Sequence, residues 1–268
     1  MGKSTWLRWL VAVLAVWQIA AAGLSQSGLL PGDDVGTISD RYDSWIDPAG
    51  YAFSIWGLIY LTSLVLAGYQ ARASRGHDPA LTGLRVPLAV AFALNGVWII
   101  AFQQEAFVLA QAIIVGLTAA LAVGYAGLAR RGRPGSRAER WVVLATVGLY
   151  LGWATVATAA GFSTTLLAEG ITELGLPTQA WAVLILIAAG AIATAITAAG
   201  PPEPGFPLAA TWALAAIRVE QIPDRPVVGA IAAVAATAVL VALAWREYRW
   251  NRGGGALEPR PERSTARR

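Results

Sequence analysis

Between its charged loops this chain runs repeatedly for about 18 to 23 apolar residues without an ionisable group, the length that crosses a hydrocarbon core about 30 Å thick. Inside such a core every backbone N–H and C=O must find its partner within the protein, which leaves transmembrane helices or a closed barrel. The runs are unbroken rather than alternating, so a barrel is excluded. With 56% of residues hydrophobic and 13% charged, the expected fold is all-α, a polytopic membrane helical bundle.

Eight spans are expected, over residues 6–24, 51–69, 86–103, 106–128, 141–162, 180–199, 206–217 and 227–245. The seventh, about 12 residues, is short for a crossing and is open to a re-entrant reading. Basic residues gather in alternate segments: Lys3 and Arg8; Arg72, Arg75 and Arg85; Arg130, Arg131, Arg133, Arg137 and Arg140; and a tail holding Arg246, Arg249, Arg252, Arg260, Arg263, Arg267 and Arg268. The positive-inside rule places all four groups in the cytoplasm. The first loop, with Asp33, Asp34, Asp40, Asp43 and Asp47, then lies outside, as does the loop with Glu169 and Glu173. An Arg-rich tail on the inside demands an even number of crossings, so the short seventh span is expected to cross. Arg218 and Arg225 fit this scheme least well.

The expected location is therefore the plasma membrane, multi-pass, with both termini cytoplasmic. Arg- and Ala-rich usage suggests a GC-rich bacterial genome. The charged start and Ala20-Ala21-Ala22 also fit a cleaved signal peptide, but the apolar run is long for one, and a retained first helix is expected. The segment 253–268, rich in Gly, Pro and Arg, reads as a disordered basic tail drawn to anionic lipid. The net charge of +4 does not indicate nucleic acid, because the basic residues sit where membrane topology places them.

What the spans lack excludes several functions. No Asp, Glu, Lys or His lies in the middle of any span, whereas ion-coupled carriers generally need intramembrane ionisable groups. There is no Cys, the sole histidine is His77 in an Arg-rich loop, and the only methionine is Met1. A buried haem iron would have at most a Tyr as axial ligand, so a bound porphyrin would be held by shape and stacking. No Ser-His-acid set, metal cluster or phosphate loop is present, and an enzyme is not expected.

What the spans contain is aromatic. Phe53, Trp56 and Tyr60 stand three and four residues apart at the entrance of the second span, one above another on a helix face. Such a ladder anchors a helix at the headgroup layer, packs against neighbours, or walls a pocket for a flat apolar ligand. In the third span Asn95, Trp98 and Phe102 share a face, and the mid-span amide needs a hydrogen-bond partner. An interhelical bond would satisfy it as well as a ligand would. In the fifth, Tyr150, Trp153 and Ala157 line one side, near Thr155 and Thr158.

In order and spacing, Phe53-Ser-Ile-Trp56-Gly-Leu-Ile-Tyr60, Leu94-Asn95-Gly-Val-Trp98 and Tyr150-Leu-Gly-Trp153 resemble the TspO/MBR family, the tryptophan-rich sensory proteins related to the mitochondrial translocator protein. The resemblance covers about residues 6–163. It implies a five-helix core, residues 1–163, enclosing a ligand cavity near the extracytoplasmic end, followed by three additional transmembrane helices in 164–252. Family members bind porphyrins, haem and sterol- or drug-like molecules, so a porphyrin or haem is implied as ligand rather than required cofactor. The implied pocket residues are Phe53, Trp56, Asn95, Trp98 and Trp153, with Tyr60 and Tyr150 beside them. The W-x-P-P segment of the family is Trp45-Ile-Asp-Pro48 here, the Asn toward the end of the fifth helix is Gly161 or is displaced, and Gln111 is a stand-in for an acidic residue of the fourth.

The function this implies is binding, with sensing or translocation, of a hydrophobic or tetrapyrrole-like small molecule. A facilitative permease without ion coupling is the alternative, and porphyrin degradation assisted by Trp finds no acid–base set to support it. Expected partners are that ligand and membrane lipid. Small residues at Gly190, Thr194 and Ala198 and at Gly229, Ala233 and Thr237 allow close helix approach, within the chain or across a homodimer.

Overall fold

A computed structural model of the chain describes residues 3–29, 31–76, 78–132, 134–171 and 175–252, and all of its regular elements are helical. His77, Arg133, Glu173 and the tail 253–268, all given a place above, lie outside the described residues. The long helices are α1 (Lys3–Gln26), α3 (Ile55–Ala71), α4 (Pro79–Gln103), α5 (Phe107–Ala129), α6 (Ala145–Ala168), α7 (Thr178–Ala199), α8 (Gly205–Gln221) and α9 (Pro226–Arg252). A short surface helix, α2 (Val35–Tyr42), stands between α1 and α3. Among the described residues, seven helices are long and apolar enough to cross a membrane. Their outward faces carry residues such as Val13, Leu61, Val108, Val123 and Val241, apolar surface suited to lipid, and the fold is a polytopic helical bundle.

Two helices begin in ways the apolar runs alone do not reveal. Residues 50–54 form a 3₁₀ turn ahead of α3, so Phe53 is delivered by a tighter winding than the helix carrying Trp56 and Tyr60. The third span starts at Pro79 rather than near 86: Asp78 caps it by accepting from the Ala80 N–H at 3.0 Å, and Pro79 fills a position with no intrahelical N–H bond to lose. Arg85 is consequently inside a helix and buried rather than in a loop. Its guanidinium donates to Gln70 Oε1 at 3.2 Å and to the carbonyls of Gly76 and Arg75 at 3.1 Å each. A planar fork of five donors meets carbonyls of the turn that follows the second span, which makes its burial tolerable.

Alternate helix ends fall at an arginine-rich end and an acidic end of the bundle. Arg8 donates to the carbonyls of Ala71 and Arg72, and Arg140 pairs with Glu247 at 2.9 Å. At the other end Arg41 joins Asp33 and Glu105, and Arg225 pairs with Asp43 at 2.7 Å.

Helix α8 has 17 residues, about 26 Å at 1.5 Å per residue, and falls short of a full span by length. Its ends nonetheless reach both ends of the bundle. Glu203, just before it, accepts from Tyr125 near the end of α5. Gln221, its last residue, donates to the carbonyls of Ser44 and Asp47. Arg225, which fitted the charge scheme poorly, is at the acidic end because an aspartate holds it there.

Close approach between α6 and α8 depends on glycine. A Cβ at Gly148 would strike the Glu203 carboxylate, one at Gly152 the Phe206 carbonyl, and one at Gly205 the Ala145 carbonyl. On α7 and α9 the small-residue seam runs through Gly190, Ala193 and Thr197 and through Gly229, Ala232 and Ala236. Gly190 faces Ala235. The expected four-residue steps drift off this face, leaving Ala198 and Thr237 outside, because 3.6 residues per turn alternates threes with fours. The seam packs within the chain.

Candidate functional site

Trp56 is the hub of an aromatic cluster at the acidic end of the bundle. Its ring stacks on Tyr60 at 5.6 Å and lies against Trp98 at 5.9 Å. It meets Tyr150 and Trp153 edge-on at 5.8 and 6.1 Å, and Phe53 contacts Trp153 edge-on at 6.0 Å. The offset and perpendicular arrangements are those that ring quadrupoles favour. Beyond Trp98 the contacts continue through Phe102 and Phe107 to Tyr42 on α2. The three motifs of the second, third and fifth spans thus converge, although they are far apart in sequence.

A cavity lies above this cluster, lined by Phe53, Trp56, Trp98, Phe102 and Trp153, by Val156, Ala157, Ala160, Gly161 and Thr164 of α6, and by Val35 and Ser39 of α2. The space between these side chains, counted with its opening to the outside, is about 510 Å³. A second cavity of about 660 Å³, between the ends of α1 and α2, shares Val35, Phe53, Trp56 and Trp98. Those three rings form the partition between two chambers, and α2 roofs both.

The expected site residues divide by position. Phe53, Trp56, Trp98 and Trp153 line the first cavity, and Tyr60 lines the second. Asn95 and Tyr150 line neither and form a layer below. Tyr60 donates to Asn95 Oδ1 at 3.4 Å, and Tyr150 donates to Gln18 Oε1 at 3.2 Å while stacking on Phe92. Asn95 Nδ2 and Gln18 Nε2 are buried donors without a partner. The mid-span amide therefore supports Tyr60 and reaches a ligand only if the rings above it move.

Two contributors to the cavity, an acid and a helix, were not visible as such in the sequence motifs. Asp47, from the loop before the 3₁₀ turn, lines the first cavity and is 7% exposed. Its Oδ2 accepts from the Ser44 N–H at 3.0 Å and its Oδ1 from the Thr164 hydroxyl at 3.3 Å. Burial pushes its carboxyl up to about 6 against the pull of those hydrogen bonds. Ala213 and Ile217 of α8 complete the wall, so a helix outside the expected five-helix core borders the cavity. α8 is fixed there by Trp212, which donates to the Ala52 carbonyl at 3.1 Å, and by Ala216, whose carbonyl accepts from Ala49. Gln111, named above as a stand-in, packs behind the wall: its Oε1 lies 2.8 Å from where a Cβ at Gly161 would stand, and its Nε2 donates to the Thr158 carbonyl. The amide of one helix fills the space left bare by glycine on the next. Trp153 adds an indole N–H that is buried with no partner beside the cavity.

The site can therefore hold a flat apolar body between rings, while offering a few hydrogen-bonding groups along one wall. A family model described as TSPO-like protein matches residues 8–245. No curated protein and no solved structure matches the chain.

Proposed function

Because the chain belongs to the TSPO-like protein family, we propose that it is a membrane receptor for a hydrophobic, flat small molecule of tetrapyrrole type, which it senses or translocates by binding rather than by catalysis. The observation that carries this reading is the convergence of Phe53, Trp56, Trp98 and Trp153 on one cavity. Rings from separate helices offer faces and edges to a planar guest, and α2 supplies a cover. On this reading the arginine-rich end faces the cytoplasm of a bacterial plasma membrane and the cavity lies near the outer surface. A facilitative permease would need a path onward to the arginine-rich end, and the buried layer of Phe92 and Tyr150 stands across it.

Titration of the purified protein with protoporphyrin, followed by tryptophan fluorescence, tests the proposal. Saturable quenching is expected, weakened about tenfold or more by Trp98→Ala, which removes a cavity wall. Asn95→Ala is expected to weaken it less, because Asn95 acts through Tyr60. Equal quenching in wild type and Trp98→Ala would exclude this cavity as the site.

A further inference from the structure

We propose that Asp47 makes the cavity selective for ligands that present a positively charged nitrogen or an N–H donor, and selective against ligands that present a carboxylate at the same place. This rests on the reading of the aromatic cavity as the ligand site. It goes beyond that reading by assigning the polar group that decides which flat molecule enters.

The argument starts from the lone pairs. A carboxylate offers about four acceptor positions, and Asp47 uses two, for the Ser44 N–H and the Thr164 hydroxyl. Among the described residues no cation forms an ion pair with it. Arg225, the basic residue on the adjoining loop, is engaged elsewhere: its Nη2 and Nη1 bind Asp43 at 2.7 and 3.0 Å, and Nη1 also donates to the Ser44 carbonyl and to Gln221 Oε1. Its guanidinium lies over the Trp45 ring at 5.1 Å. Asp43, the nearest acid, adds repulsion rather than relief.

The carboxylate thus borders an apolar chamber with acceptor capacity left over. A buried charge without a partner is costly, and a guest that brings an N–H or a cation removes that cost. The remaining walls favour the same guest. Trp56, Trp98 and Trp153 present the ring type that attracts cations most strongly, and within a desolvated site that attraction is strengthened. A ligand carboxylate would meet the opposite: an acid at Asp47 and the negative faces of the indoles. Asp47 is also the position at which Trp45-Ile-Asp-Pro48 departs from the W-x-P-P pattern.

Three tricyclic titrants of one shape separate charge from stacking: 9-aminoacridine, acridine and acridine-9-carboxylate, each followed by tryptophan quenching of the full chain at pH 7.5. The expected order of affinity is aminoacridine, then acridine, then the carboxylate, with about a tenfold step or more between the first and last. Asp47→Asn, which keeps the shape of the side chain, should weaken aminoacridine about tenfold and leave acridine unchanged. Asp43→Asn, at the neighbouring exposed acid, should leave the order intact, and a cooperative thermal unfolding transition in each variant guards against a folding artefact. Saturable binding that ignores charge, or a wild-type preference that survives in Asp47→Asn, overturns this inference and leaves the proposed function standing. No saturable quenching by any acridine or by protoporphyrin overturns both.

Discussion

The Tyr125 hydroxyl donates to the Glu203 carboxylate at 2.8 Å and so joins the end of α5 to the start of α8 across 78 residues of sequence. The same carboxylate accepts from the N–H groups of Gly205 and Phe206, which the first turn of a helix leaves without intrahelical partners. One buried side chain therefore caps α8 and ties it to the bundle. Glu203→Ala is expected to lower stability by about 2–4 kcal/mol, because it strands two N–H groups and a phenol together. Glu203→Gln should cost less, since an amide oxygen still accepts. Thermal unfolding in detergent measures both, and equal melting points for wild type and Glu203→Ala would remove this role.

Glu203 and Asp47 also set a pH dependence of unusual sign. Burial raises Asp47 from its ordinary 3.8 to about 6 and Glu203 from 4.5 to about 7. A carboxyl whose pKa is raised by folding contributes stability that is fully present below its unfolded value and is lost as pH rises through its folded value. Stability should fall between about pH 4 and pH 7, by on the order of 3 kcal/mol at most for each group. Asp47→Asn combined with Glu203→Gln should flatten the slope. A wild-type melting temperature that climbs over this interval would contradict the assignment.

The α6–α8 contact predicts an intolerance to small additions. Gly152→Ala places a methyl group against the Phe206 backbone carbonyl, which cannot rotate away, and is expected to cost about 1–3 kcal/mol as overpacking. Gly127→Ala, on a helix with nothing within 4 Å of the added atom, should be neutral or slightly stabilising through helix propensity. Comparing the two melting temperatures separates a packing effect from a general effect of replacing glycine.

The ion pair of Arg225 with Asp43 offers a contrast between charge and hydrogen bonding. Asp43 is 73% exposed at its side chain, so Asp43→Asn should cost less than about 1 kcal/mol. Arg225→Ala also removes bonds to the Ser44 carbonyl and Gln221 and the stack on Trp45, and should cost about 1–2 kcal/mol. Equal losses in the two variants would mean that the ion pair alone matters.

Legibility in the sequence followed the range of the interactions. Helices were readable because each must fill a hydrocarbon core by itself. The start of α4 was missed at Arg85 because a charge was taken to end a span, although Asp78-Pro79 carried the start signal. Helix α2 was missed because eight polar and apolar residues make no transmembrane pattern, and only its cap, Asp34, announces it. Phe53, Trp56, Trp98 and Trp153 line the cavity; the sequence offered them as a pocket only through the family resemblance, because their spacing alone fits anchoring and packing equally well. Asp47, Ala213 and Ile217 were not offered as pocket residues, because each enters through contacts between distant segments, such as Gln221 with Ser44. The compensation of Gly161 by Gln111 is of the same kind: two departures from a pattern became one packing unit only in three dimensions.

On the function proposed above, the partition of Phe53, Trp56 and Trp98 between the two chambers makes the empty protein its own first competitor. A planar guest must take the place of Tyr60 and Trp98 on the faces of Trp56, and ring pairs of this kind are each worth about 0.5–1.5 kcal/mol. The self-stacked state acts as a built-in threshold. Small or weakly stacking solutes are expected not to open it, whereas a broad guest that covers several indoles at once would, with an apparent affinity equal to the intrinsic one scaled down by the fraction of molecules whose rings stand apart.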